Sequence, residues 1–109
     1  MGMIENLEAM LARGQDSKLL RFSLGKAYLE ADRPGDAVEQ LARCLDLDPE
    51  YSAAWNIYGK ALRAAGRDTD ALAAWHQGIG VARRNGDKQA AKEMGVFARR
   101  LEKQARGGG

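Results

Sequence analysis

His76 is the only histidine in the chain and Cys44 the only cysteine, so one imidazole and one thiol are available for chemistry. A nucleophilic site needs a base beside the nucleophile, and a structural zinc site needs about four thiolate, imidazole or carboxylate ligands. One thiol also excludes an intramolecular disulfide. Gly59, Gly66, Gly78, Gly80 and Gly86 contain no G-x-x-x-x-G-K spacing for cradling a phosphate. Asp46, Asp48 and Glu50 alternate as calcium ligands do, but the glycine and terminal glutamate of a calcium loop are missing. No catalytic residue, metal or cofactor is expected, and the chain reads as non-enzymatic.

Bulk composition narrows the class further. Apolar residues make up 45% of the 109, enough for one folded domain without covalent staples. Seventeen basic side chains face fifteen acidic ones, giving a net charge of +2. That balance argues against nucleic acid and against an anionic membrane as partner. No stretch nears the roughly 18 apolar residues that span a bilayer. The N-terminal residues lack the basic and apolar run of a secretory signal, and Asn6 fails the myristoylation pattern. A cytoplasmic location is expected.

The organising feature is an internal repeat. Residues 18–51 laid over 52–85 align at an offset of 34. Leu24-Gly25-Lys26-Ala27-Tyr28-Leu29 falls on Tyr58-Gly59-Lys60-Ala61-Leu62-Arg63, Asp36-Ala37-Val38 on Asp70-Ala71-Leu72, and Leu41 on Trp75. Each unit carries two apolar stripes of helical period. Leu20, Leu24, Ala27, Tyr28 and Ala31 form one, and Ala37, Val38, Leu41 and Leu45 the next. The stripes part at Asp32-Arg33-Pro34-Gly35 and again at Ala65-Gly66-Arg67-Asp68. Asp32 and Gly66 tolerate the left-handed backbone that ends a helix, and Pro34 suits the first position of the next. Pro49 stops the second helix of unit one. Each unit is predicted to be a helical hairpin.

Two helices flank the hairpins. Ile4, Leu7, Met10 and Leu11 mark one over 3–13, ended by Arg13-Gly14, with Asp16 or Ser17 available to cap its successor. Ala90, Met94, Phe97 and Leu101 mark another over 87–105, and residues 106–109 read as a frayed tail. The sum is six helices in a single all-α domain.

The residues Leu24-Gly25, Tyr28, Ala37, Leu41, Asp48-Pro49, Trp55, Tyr58-Gly59, Leu62, Ala71 and Trp75 resemble the tetratricopeptide-repeat signature. The resemblance covers two full repeats. It implies a right-handed α-α superhelix whose first helices line a concave groove. Three positions depart from the family pattern. Arg21 stands at a site favouring a large aromatic such as Trp55, which implies a guanidinium reaching water at an end of the stack. Cys44 and Gly78 stand where alanine is usual, and Arg83 where the closing proline is.

By the same resemblance the groove holds Leu19, Phe22, Ser23, Lys26, Leu29 and Glu30 from unit one. Ala53, Asn56, Ile57, Lys60, Arg63 and Ala64 come from unit two. Lys26, Lys60 and Arg63 would meet a carboxylate or acidic peptide, Asn56 a peptide backbone, and Leu19 with Phe22 an apolar side chain. A chaperone-type clamp is not expected, since Phe22, Lys26 and Ile57 stand where it needs lysine and asparagines. The expected function is a protein–protein interaction scaffold binding a peptide or partner helix. The alternative is a structural homo-oligomer, possible as a homodimer, pairing through the flanking helices. The sequence's one route to nucleic acid is the set Arg83, Arg84, Lys88, Arg99, Arg100 and Lys103.

Overall fold

A computed structural model describes residues 2–107. Within them the regular elements are six helices, in the order expected from the apolar stripes: α1 Met3–Ala12, α2 Lys18–Glu30, α3 Pro34–Leu47, α4 Ser52–Ala64, α5 Asp68–Arg84 and α6 Lys88–Gly107. Arg106 and Gly107, read from sequence as part of a frayed tail, close α6; Gly108 and Gly109 lie outside the described residues.

Local chemistry explains the boundaries. Ser17, rather than Asp16, caps α2: its hydroxyl accepts from the Leu20 amide at 3.1 Å. Asp16 instead receives Arg21, whose guanidinium also donates to Gln40 at 2.8 Å. The guanidinium expected to reach water is thus drawn in, because its side chain is mostly covered and must find acceptors. Asp32 turns the chain at φ 60° and its repeat equivalent Gly66 at φ 79°. Just beyond, Arg33 bonds Asp36 and Arg67 bonds Asp70, the same arginine–aspartate clasp at both hairpin turns. Asp87 caps α6 by accepting from the Ala90 amide at 3.1 Å.

Each hairpin closes around a glycine. The helix pairs α2–α3, α4–α5 and α5–α6 are the main antiparallel contacts. A methyl group on Gly25 would lie 2.5 Å from Leu41 Cγ, and one on Gly59 would overlap the indole of Trp75. On Gly78 it would lie 2.6 Å from Trp55 Cβ and 2.5 Å from Met94 Sδ. The missing side chains let each helix take in the large residue opposite, and Trp75, Leu24, Leu41, Leu62 and Met94 are all fully buried. Met94, Ala98 and Leu101 of α6 are buried against Leu62, Ala74 and Trp75. On α1, Ile4, Leu7 and Leu11 pack over Leu24, Tyr28 and their neighbours.

Polar ties hold the layers in register. Lys18 reaches Asp48 at 2.6 Å, Arg84 reaches Glu50 at 2.8 Å, and the Asn85 side chain donates to the Glu50 carbonyl at 2.8 Å. Ser52 donates to Asp87 at 3.0 Å, joining the starts of α4 and α6. Hydrogen bonds from Arg21, Lys18 and Arg84 hold the carboxyls of Asp16, Asp48 and Glu50 below the usual range.

Two predictions follow from this packing. Gly59→Ala will destabilise the fold by about 3 kcal/mol, because a buried indole must move. Gly80→Ala, whose added methyl meets only the Arg84 guanidinium at 3.7 Å, will stabilise it by roughly 0.5–1 kcal/mol. Urea melts of both variants read the contrast. The depressed carboxyls make stability pH-dependent in one direction. Their contribution is complete above the unfolded carboxylate range, about pH 4–4.5, and is lost as pH falls through the lower folded values. The melting temperature will therefore be flat from about pH 7 to 5 and fall below about pH 4. Asp48→Asn will make that acid fall shallower.

Candidate binding surface

The first helices of the hairpins, α2 and α4, lie side by side, and α6 continues the row beyond α4. Lys18, Ser52 and Lys88 begin these three helices. The step from α4 to α6 is 36 residues, close to the 34 between the two repeats. Thus α6 occupies the place of a third first helix as well as covering the apolar side of repeat two. That near-periodic spacing is legible in the sequence, since Met94-Gly95 stands seven residues into α6 as Leu24-Gly25 and Tyr58-Gly59 stand in α2 and α4, while Ala98 replaces the large residue of Tyr28 and Leu62.

Asn56, Lys60 and Arg63 form one row along α4, and each meets a residue of α6. Asn56 Nδ2 donates to Glu93 at 3.2 Å, Lys60 Nζ lies 5.0 Å from the centre of the Phe97 ring, and Arg63 donates to Gln104 at 2.8 Å. Asn56 is 8% exposed, and its Oδ1 has no hydrogen-bond partner among the described residues. The Asn56 backbone carbonyl accepts from Trp75 Nε1 at 3.2 Å, so the row is anchored to the core at its first member. Glu93, Phe97 and Gln104 complete this surface from α6; in the sequence Phe97 is marked only as part of that helix's apolar stripe, and nothing local shows which flank meets α4.

The α2 side of the surface is more open. Lys26 is exposed, and with Met3, Ser23, Ala27 and Glu30 it lines a shallow cavity of about 150 Å³ where α1 meets α2. Its ammonium stands 5.7 Å from the Phe22 ring, in cation–π range. Phe22 is only half free: it packs against the core, and its ring meets Tyr51 at 4.9 Å in the seam between the repeats. Leu19 is 61% exposed at the start of α2. The structure therefore gathers Asn56, Lys60 and Arg63 into one group. It leaves Lys26 and Phe22 as a second group, one helix away.

Neither single reactive side chain joins this surface. Cys44 is fully buried with its thiol directed at the Lys18 carbonyl, 3.4 Å away, and burial pushes the thiol up to about 11. At neutral pH it stays protonated and behaves as a small apolar residue. His76 is exposed on α5, 3.6 Å from Glu102. Tyr28 is pushed up to about 12, first by burial and then by its hydrogen bond to Glu8, which fastens α1 to α2.

Residues 22–79 match the model of the tetratricopeptide repeat. The chain belongs to the tetratricopeptide-repeat family. A TPR repeat-containing protein of Pseudomonas aeruginosa is 54% identical over 101 residues, covering 93% of this chain and 96% of that protein. Among solved structures, a protein of Bordetella parapertussis superposes with a TM-score of 0.83 at 45% identity, over 96% of this chain and 93% of its own. A tetratricopeptide repeat domain protein of Salinibacter ruber gives 0.74 at 25% identity, covering 80% of this chain and 97% of that one. The P. aeruginosa and B. parapertussis relatives extend over nearly the whole chain, flanking helices included.

The contact between Asn56 and Glu93 is the polar link between α4 and α6 that burial makes costly to break. Glu93→Ala will leave the Asn56 amide without its acceptor and cost about 1–2 kcal/mol. A double-mutant cycle with Asn56→Ala will return a coupling of roughly 0.5–1.5 kcal/mol in urea melts.

Proposed function

We propose that this protein is a non-enzymatic interaction scaffold that binds a peptide or partner helix of acidic character along the face formed by α2, α4 and α6. Members of its family are generally scaffolds of this kind. The observation that carries the reading is that Lys26, Lys60 and Arg63 stand on adjacent first helices of one face. Lys26 is exposed, and none of the three is within ion-pair reach of an acidic side chain among the described residues. Carboxylates of a bound segment would supply the missing partners, and charge-assisted hydrogen bonds are the stronger kind. Lys60 and Arg63 lean on Phe97 and Gln104, contacts weak enough to yield to a carboxylate. Phe22 and exposed Leu19 add an apolar anchor at the α2 end.

The homo-oligomer alternative loses the α6 face to the fold. The apolar stripe of α6 is spent on repeat two, with Met94 and Leu101 at 0% and 2% exposure, whereas on α1 Ile4, Leu7 and Leu11 pack partly buried over α2 and Met3 and Met10 stay exposed. Among the described residues no helix is long and apolar enough to cross a membrane. A cytoplasmic setting fits this reading and is proposed with it.

Panning a random dodecapeptide phage library against the purified protein tests the proposal. Enriched peptides will carry Asp or Glu, and their affinity will fall by about tenfold or more in Lys26→Glu/Lys60→Glu. Arg43→Glu, an exposed cation on α3, will bind as the parent does. Failure to enrich any sequence, or equal affinity in the double variant, overturns the proposed surface.

A further inference from the structure

The near-neutral total conceals a strong separation of charge along the chain. Between residues 83 and 106 there are eight lysines or arginines against three acidic residues, whereas the rest holds nine against twelve. Most of the excess lies on α6. Lys88, Lys92, Arg99, Lys103 and Arg106 stand at i, i+4, i+11, i+15 and i+18. At 3.6 residues per turn these five fall within an arc of about 60°, and at 1.5 Å per residue they span about 27 Å.

The arc lies opposite the buried Met94, Ala98 and Leu101, and all five cations are exposed. Among the described residues none of the five has a carboxylate within 4 Å. The acidic residues of α6 are turned aside: Glu93 accepts from Asn56 and Glu102 sits by His76. What remains is a straight, rigid row of unpaired cations, held in place by a core stripe on the other side of the same helix.

We propose that the outer face of α6 is a docking surface for double-helical DNA, contacted through its phosphates. Three properties select that partner. An amphipathic basic helix ordinarily reads as a membrane-surface element, but the apolar face of α6 is consumed by the fold and has nothing to insert. A protein interface has an apolar or aromatic core, and the row contains neither. A single strand would need aromatic platforms for its bases, and none lies on this face. A DNA duplex asks only for cations along its phosphates, which recur at about 1.7 Å per charge, and its wide major groove leaves both phosphate rows open to a helix. Phosphate contacts alone make the binding independent of base sequence. The surface is separate from the α2–α4 row, so it stands whether or not a peptide binds there.

The experiment is fluorescence anisotropy with a fluorescein-labelled 20-base-pair DNA duplex, run from 50 to 200 mM salt on the full chain. About four phosphate contacts give a log–log slope near −4 and a loss of affinity on the order of a hundredfold across that range. Lys92→Glu/Arg99→Glu/Lys103→Glu will weaken binding at least tenfold, and the milder Lys92→Gln/Arg99→Gln/Lys103→Gln will weaken it less. Arg13→Glu/Arg43→Glu, carrying two charge reversals elsewhere, will leave it unchanged. Circular-dichroism melts establish that each variant is folded. The proposal is overturned by absence of duplex binding at 50 mM salt, or by parental affinity in both α6 variants. It is also overturned if a 20-base-pair RNA duplex, polyglutamate or vesicles of 7:3 phosphatidylcholine and phosphatidylserine bind more tightly than the DNA.

Discussion

At Gly25, Gly59 and Gly78 a helix meets its neighbour where a single added carbon would collide with Leu41, Trp75 or the pair Trp55 and Met94. These close approaches set the distance between the helices of every main pair, and the large residue opposite fills the space that the glycine leaves. Trp75 shows the coupling most clearly. Its ring is 1% exposed, lies against Phe97 at 5.5 Å, and donates its indole N–H to the Asn56 carbonyl. One side chain thereby fixes α4 to α5, orients α6, and anchors the polar row at the α4–α6 boundary.

From that packing the surfaces follow. Because α6 spends its apolar stripe on repeat two, it is fixed in the position of a third first helix and presents two other faces. One flank, through Glu93, Phe97 and Gln104, meets Asn56, Lys60 and Arg63. The outer face holds cations alone. A helix that looks from its stripe like a simple cover therefore contributes to both interaction surfaces. The ties at the layer junctions, Lys18 with Asp48 and Arg84 with Glu50, act at the opposite edge, where exposure makes them selectors of register more than sources of stability.

The lone reactive groups illustrate how packing disposes of chemistry. Cys44 sits where the family favours a small residue, and the same close packing that demands a small side chain also removes the thiol from solvent and raises its titration. Arg21 is the converse case. In place of a large aromatic it buries its stem and brings its charged end to Asp16 and Gln40, so a position that normally packs becomes a polar clasp at the first repeat.

The helices and their order were legible in the chain because they rest on local rules. The 34-residue offset, the stripes of apolar residues, and the stops at Asp32, Gly66 and Pro49 each act within a few residues of themselves, and all appear in the folded structure. The choice between Asp16 and Ser17 as cap, the inward turn of Arg21, and the half-packed state of Phe22 against Tyr51 were not legible. Each depends on which distant group stands nearby, and periodicity says which face a residue occupies without saying what meets it there. The same reason hid the second role of α6. Only the stacking of repeat two decides which flank of that helix reaches Lys60 and Arg63, and which face is left to water.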